Sequence, residues 1–190
     1  MSRTILALLL VAGMMASVAV AGSAQFTSTA GVAASTFITG TVVITTDHSS
    51  TALFNVTGMA PGDQLASTLV VTSTGTLPLR YAMTSAVTDT VGLGLKSALL
   101  LGIKASVSPS CSPTNYLNSV NAEIYTGTLA SAAFGNPNQG FQSGDRSLSA
   151  NGGNEALCFF VTLPLTATNS VQGATSTATF TFDAEQTTNN

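Results

Sequence analysis

The sequence predicts an all-β fold, a jelly-roll-type β-sandwich forming a single domain with a long loop-rich insertion, and three observations carry that prediction. Only 7% of the 190 residues are charged, while Thr, Ser, Ala, Val and Gly dominate. That palette suits strands and turns, whereas exposed helices need charges to solvate their outer stripe. Apolar side chains recur at every second position in several segments, the period of a strand with one face on a core and the other in water. After the N-terminal segment no convincing 3.6-residue apolar period is present. With 45% apolar residues the chain can bury a sizeable core, and its length favours one domain.

The first element reads as an export signal, residues 1–24. Arg3 precedes the apolar run Ile5 to Val20, and the small residues Ala21, Gly22, Ser23 and Ala24 follow. The run is broken by Gly13 and Ser17 and is shorter than the roughly 20 apolar residues of a membrane span. No cysteine follows it for lipid attachment, so no membrane association is expected once it is removed. The mature chain, 25–190, then begins near Gln25, and losing Arg3 takes the formal net charge from −3 to −4. An acidic, sparsely charged surface repels phosphate backbones, so nucleic acid is not an expected partner.

Residues 25–34 are a candidate donor strand for a neighbouring copy. Phe26 can fill a pocket, while Gln25, Thr27, Ser28, Thr29, Ala30, Gly31 and Val32 bring small or uncharged side chains and no Pro, so every amide can pair. A loose terminus is the other reading.

Phe37 to Ile44 carries apolar residues on both faces and is expected to be a strand covered on both sides. Ala52 to Met59 and Gln64 to Ser73 flank Ala60-Pro61-Gly62-Asp63. There Pro presets φ at the first central position of a type II turn and Gly takes the positive φ at the second, so a hairpin is expected. Leu79, Tyr81, Met83 and Val87 alternate with Arg80, Ala82, Thr84 and Ala86, and a half-buried strand is predicted. Leu99, Leu101, Ile103, Ala105 and Val107 predict another, with a helical start over 93–99 as the alternative.

Residues 109–153 are rich in Ser, Asn, Gly and Pro, with Ile124 to Leu129 and Arg146 to Leu148 as their only short strand candidates. They read as a decorated excursion. Leu157, Phe159, Val161 and Leu163 alternate with Cys158, Phe160 and Thr162, and Ala178, Phe180, Phe182 and Ala184 alternate with Thr177, Thr179, Thr181, Asp183 and Glu185. Both are predicted to be half-buried strands. The total is about eight or nine strands, the number of a jelly-roll sandwich.

Cys111 and Cys158 bracket the irregular segment. In an exported chain they fit one disulfide, and two buried free thiols are the alternative. Such a bridge would be worth roughly 4 kcal/mol by the chain-entropy argument.

At this point the sequence resembles a known family, the biofilm-matrix fibre proteins of the TasA and camelysin type. The resemblance rests on the signal, on Phe26, and on Ser35-Thr-Phe-Ile-Thr-Gly-Thr-Val-Val-Ile44. It extends through Phe54-Asn-Val-Thr-Gly-Met-Ala-Pro-Gly-Asp63, Val71-Thr-Ser-Thr-Gly-Thr-Leu-Pro-Leu-Arg-Tyr81 and Ala178-Thr-Phe-Thr-Phe-Asp-Ala-Glu-Gln-Thr187. It implies an exported jelly-roll subunit of extracellular fibres. The expected partners are further copies of the same chain, then other matrix or cell-surface proteins. The cysteine pair, the long insertion and the low Lys content depart from the family pattern.

Camelysin-like proteins have also been labelled metalloproteases, and the residues oppose that reading here. Zinc proteases need two or three nitrogen ligands and a general-base Glu, and the chain has one histidine, His48, in a polar turn. No Gly-x-Ser-x-Gly elbow is present, and Gly92-Leu-Gly94-Leu-Lys96-Ser97 lacks the spacing of a phosphate loop. Asp47, Asp63, Asp89 and Asp145 do not have the spacing of a calcium loop. No enzyme activity, cofactor or metal is therefore expected. Asn55-Val-Thr57 matches a glycosylation acceptor, but it falls in a predicted strand and reads as an ordinary strand asparagine. Alternatives to the fibre subunit are a monomeric surface adhesin or binding sandwich and, third, a secreted protease.

Overall fold

A computed structural model of the chain describes residues 36, 38–89 and 92–188. The compact unit Thr39–Asn190 carries every element below, whereas the unit Met1–Ile38 lies almost wholly outside the described residues. The predicted signal, 1–24, and the predicted donor segment, Gln25 to Val32, fall there.

Nine strands are present among the described residues: β1 (Ile44–Thr46), β2 (Gln64–Ser73), β3 (Leu79–Asp89), β4 (Leu100–Ala105), β5 (Glu123–Thr128), β6 (Ala133–Phe134), β7 (Arg146–Leu148), β8 (Asn154–Thr162) and β9 (Ser176–Gln186). Two antiparallel sheets pack face to face, as the alternation predicts. The first runs β1-β2-β8-β4-β5. The second is centred on β3, with β9 along one edge and β6 and β7 on the other.

The core lies between them. Leu69, Val71, Leu101, Ile103, Leu157 and Phe159 of the first sheet meet Leu79, Tyr81, Met83, Phe134 and Leu148 of the second, with Phe180 and Phe182 half-buried at the side. Each such large side chain contributes about 1.5–3 kcal/mol when fully buried. Phe159 meets Phe180 edge to face across the sheets, with ring centroids 5.2 Å apart.

Several expectations need correction. The strand predicted over Phe37 to Ile44 is not formed as such: Phe37 lies outside the described residues and the ladder begins only at Ile44. Residues 41–43 instead lean on the Thr74–Leu77 turn, where the carbonyls of Val43 and Thr41 accept from the Thr74 and Leu77 N–H groups. The contact requires glycine, since a Cβ on Gly75 would lie 2.3 Å from the Thr41 carbonyl oxygen. Val42 and Ile44 pack on the core while Thr41 and Val43 are exposed, so only one side is covered.

The Pro61-Gly62 turn forms as predicted, with Gly62 at φ 98° and the Asp63 N–H donating to the Ala60 carbonyl at 3.0 Å. The hairpin does not. Residues 52–59 form no strand, because the Gly62 N–H donates to Leu163 and the turn feeds β2 onto β8, pairing Gln64 with Thr162. The partner strand comes from the far end of the sequence.

Both readings of the next segment hold in part: a four-residue helix, α1 (Leu95–Ala98), leads into β4, and the strand ends at Ala105 before Val107. The excursion 109–153 is less decorative than expected. It supplies β5 to the first sheet, β6 and β7 to the second, and a short helix, α2 (Pro113–Asn118), started by Ser112, whose hydroxyl accepts from the Asn115 N–H. In β8 and the first half of β3 both faces are buried, so neither is the half-buried strand predicted there, while β9 is.

Candidate functional site: an open sheet edge and a tethered loop

Sheet edges decide what this fold can join. Among the described residues β9 is the longest edge strand, paired along its whole length with β3 from Leu79 opposite Gln186 to Asp89 opposite Ser176, and with no strand on its other side. The Thr187 N–H bonds the Pro78 carbonyl. By antiparallel alternation the odd-numbered residues of β9 therefore bond β3, and Ala178, Phe180, Phe182 and Ala184 direct their N–H and C=O groups to the open edge. The same four residues point their side chains at the core, yet none of the eleven positions of β9 is fully buried. An added strand would satisfy these backbone groups and close water off from Phe180 and Phe182.

The other edges are blunted. β1, β6 and β7 are two or three residues long. The register between β4 and β5 shifts at Ile103/Lys104, a bulge that bends the pair away from flat addition.

On the outer face of the first sheet lies the tethered loop. Cys111 and Cys158 are bonded, with Cα atoms 5.3 Å apart and a sequence separation of 47. The bond holds α2 against β8, where the Tyr116 ring stacks on Phe160 at 4.7 Å and 9°. This small cluster, Tyr116, Cys158 and Phe160, is what buries the second face of β8. Lys104, only 7% exposed, donates from Nζ to the carbonyls of Tyr116 and Ser119 at 3.1 and 3.0 Å, at the C-terminal end of α2. It also lies 3.5 Å from a Glu123 carboxylate oxygen, which offsets its burial. Burial, and then the hydrogen bond it donates to Glu123, push the Tyr116 hydroxyl far above its ordinary pKa of 10.0.

A second polar group bridges the sheets. The Tyr81 hydroxyl donates to Glu155 at 2.6 Å, and Arg146 forms a two-pronged ion pair with the same carboxylate. Burial first, then the Glu155 contact, raise Tyr81 strongly. Burial also pushes Glu155 upward, but hydrogen bonds from Arg146 and Tyr81 and the attraction of Arg146 outweigh it and hold the carboxyl below its usual value.

His48 sits in its turn with Nδ1 3.2 Å from the Thr51 hydroxyl. The four aspartates weighed as calcium ligands each accept a hydrogen bond from a backbone N–H. Asp47 accepts from Val70, Asp63 from Ala60, Asp89 from Lys96, and Asp145 from Asn136 and Gln142. Among the described residues no group of three or more His, Cys, Asp or Glu converges as a metal site. A cleft of about 170 Å³ beside Arg80 and Asp183 is smaller than a small-molecule pocket, and Glu185 on its wall is paired with Arg80.

Of the site residues read from the sequence, the structure joins Cys111 to Cys158, and Gln25 to Val32 lie outside the described residues. The β9 edge was missed as a site, because edge position depends on pairing across the whole chain. No family model matches the chain, and no curated protein matches it either.

Proposed function

We propose that this chain is an exported structural subunit that polymerises head to tail, the N-terminal segment 25–34 of one copy adding as a strand beside β9 of the next. The observation carrying the proposal is that, among the described residues, no strand pairs with the outer side of β9, with apolar side chains left half-covered beneath it. Donor and acceptor are chemically matched: Phe26 offers a ring, the residues after it are small, and β9 presents Phe180 and Phe182 between alanines. A donor and an acceptor that are different surfaces of one chain make a heterologous contact, which extends into a filament unless its rotation closes a ring.

Export is supported by the N-terminal signal pattern and by a disulfide compatible with an oxidising compartment. Among the described residues no helix is long and apolar enough to cross a membrane. The resemblance to matrix-fibre proteins supports the same reading. Negative-stain imaging of residues 25–190 and 35–190 is the test. The first should form filaments and the second should remain a folded monomer; filaments from the truncated chain would refute donation by this segment.

A further inference from the structure

We propose that Asn55 is an N-glycosylation site, an inference that rests on the export reading but not on assembly. The acceptor tripeptide Asn55-Val56-Thr57 falls where the sequence predicts a strand, which would hide it, and the structure removes that objection. Residues 52–59 form no strand or helix, and 55–58 are all exposed, Val56 at 42%.

The segment is a displayed bulge rather than a loose loop. Leu53 and Phe54 on one side and Met59 on the other pack against the core. Between them residues 55–58 are exposed, with Gly58 at φ 71° and nothing within 4 Å of where its Cβ would be. Among the described residues the Asn55 side chain has no hydrogen-bond partner. An exposed acceptor outside any strand or helix is what a glycosyl-transferring enzyme needs to hold Asn and the hydroxyl two residues later together. Asn55 and Thr57 can therefore be reached in the folded protein as well as in the nascent chain.

The co-reactant is an oligosaccharide linked to a polyprenyl phosphate or pyrophosphate. The Asn55 side-chain nitrogen bonds to the anomeric carbon and loses a proton, the bond from that carbon to the phosphate oxygen breaks, and the lipid phosphate leaves. The chemical benefit follows from composition: with 7% charged residues the surface has few ions to hold water, and a hydrated glycan supplies what charges do not.

Peptide mapping by mass spectrometry of protein isolated from the cells that encode it tests this. The peptide containing Asn55 should carry sugar mass with sugar fragment ions. The mass should vanish in Asn55→Gln and in Thr57→Ala and persist in Thr57→Ser. An unmodified Asn55 peptide in a chain whose N-terminus has been cut near Gln25 would overturn the site, as would sugar mass that survives Thr57→Ala. An uncut N-terminus would instead refute export, so the two failures are separable.

Discussion

Removing the disulfide by the double substitution Cys111→Ala/Cys158→Ala should lower the stability substantially while leaving the sandwich folded. The bond closes a loop with a separation of 47 residues. The chain-entropy expression then gives about 4 kcal/mol at 25 °C for the restriction it places on the unfolded chain. At about 2–4 °C per kcal/mol for a domain of this size, the melting temperature should fall by about 8–16 °C. The fold survives because the cluster tied by the bond, Tyr116, Cys158 and Phe160, lies on the opposite face of β8 from Leu157, Phe159 and the main core. Differential scanning calorimetry of both proteins, with far-ultraviolet dichroism at 25 °C, measures the effect. A shift below about 2 °C would mean that α2 stays docked by Lys104 and Phe160 alone and that the entropic argument fails here. Loss of the strand signal at 25 °C would show that the core is not self-sufficient. Reduction of the unsubstituted protein should reproduce the substituted melting temperature, and a mismatch would assign the effect to packing of the cysteine side chains.

The three tyrosines, Tyr81, Tyr116 and Tyr125, are all shifted above 10.0, with burial as the leading cause in each. Raised folded-state values mean stability that is complete below the unfolded value near 10 and is lost as pH rises beyond it, so absorbance at 295 nm should show little tyrosinate at pH 10 until unfolding; an ordinary titration of folded protein would contradict the burial. Glu155 has the opposite sign: its contribution is present above its unfolded value near 4.5 and lost as pH falls through the lower folded value, so Glu155→Gln should flatten the acid limb of a melting-temperature profile, and an unchanged limb would refute the network's role. Ala178→Pro removes an N–H directed at the open edge, not at β3; it should abolish filaments with a stability cost of about 1 kcal/mol, and normal filaments would exclude that edge. Elemental analysis of the mature protein should find no stoichiometric zinc; one equivalent of zinc, lost together with casein cleavage in His48→Ala, would overturn the non-enzyme reading.

What could be read from the sequence was set by how local its cause is. The Pro61-Gly62 turn and the alternation of β9 are caused by residues within a few positions, and both appear as read. The partner of β2 is chosen by an interaction with Thr162, nearly a hundred residues away, so a local rule returned the wrong hairpin. Phe160 looked like a solvent-side residue because alternation shows which residues share a face, not whether that face is covered. Here α2 covers it, held by Cys111 and Lys104. The cysteine pairing was legible because the chain has two cysteines, whereas the Lys104–Tyr116 contact had no sequence signal beyond a lysine in an apolar strand. The open edge was illegible for the same reason as the hairpin, since an edge exists only when no distant segment pairs with it.

The treatment of edges also favours the proposed polymer subunit over a monomeric binding sandwich on physical grounds. Proteins that remain monomeric shorten their edge strands, bulge them or place lysine on them. This chain applies the first two devices at β1, β5, β6 and β7 and none of them at β9, which is eleven residues long, regular in register and free of Lys and Pro. Its Asp183 and Glu185 sit at one end, leaving the stretch from Ser176 to Phe182 uncharged. A sequence that blunts four edges and leaves the longest one flat is locally consistent everywhere except at that strand, and such an exception marks where function is expected to override the rules of a soluble monomer. An adhesin that binds a peptide by strand addition could use the same edge, so the filament imaging of the full and truncated chains is what separates the two readings.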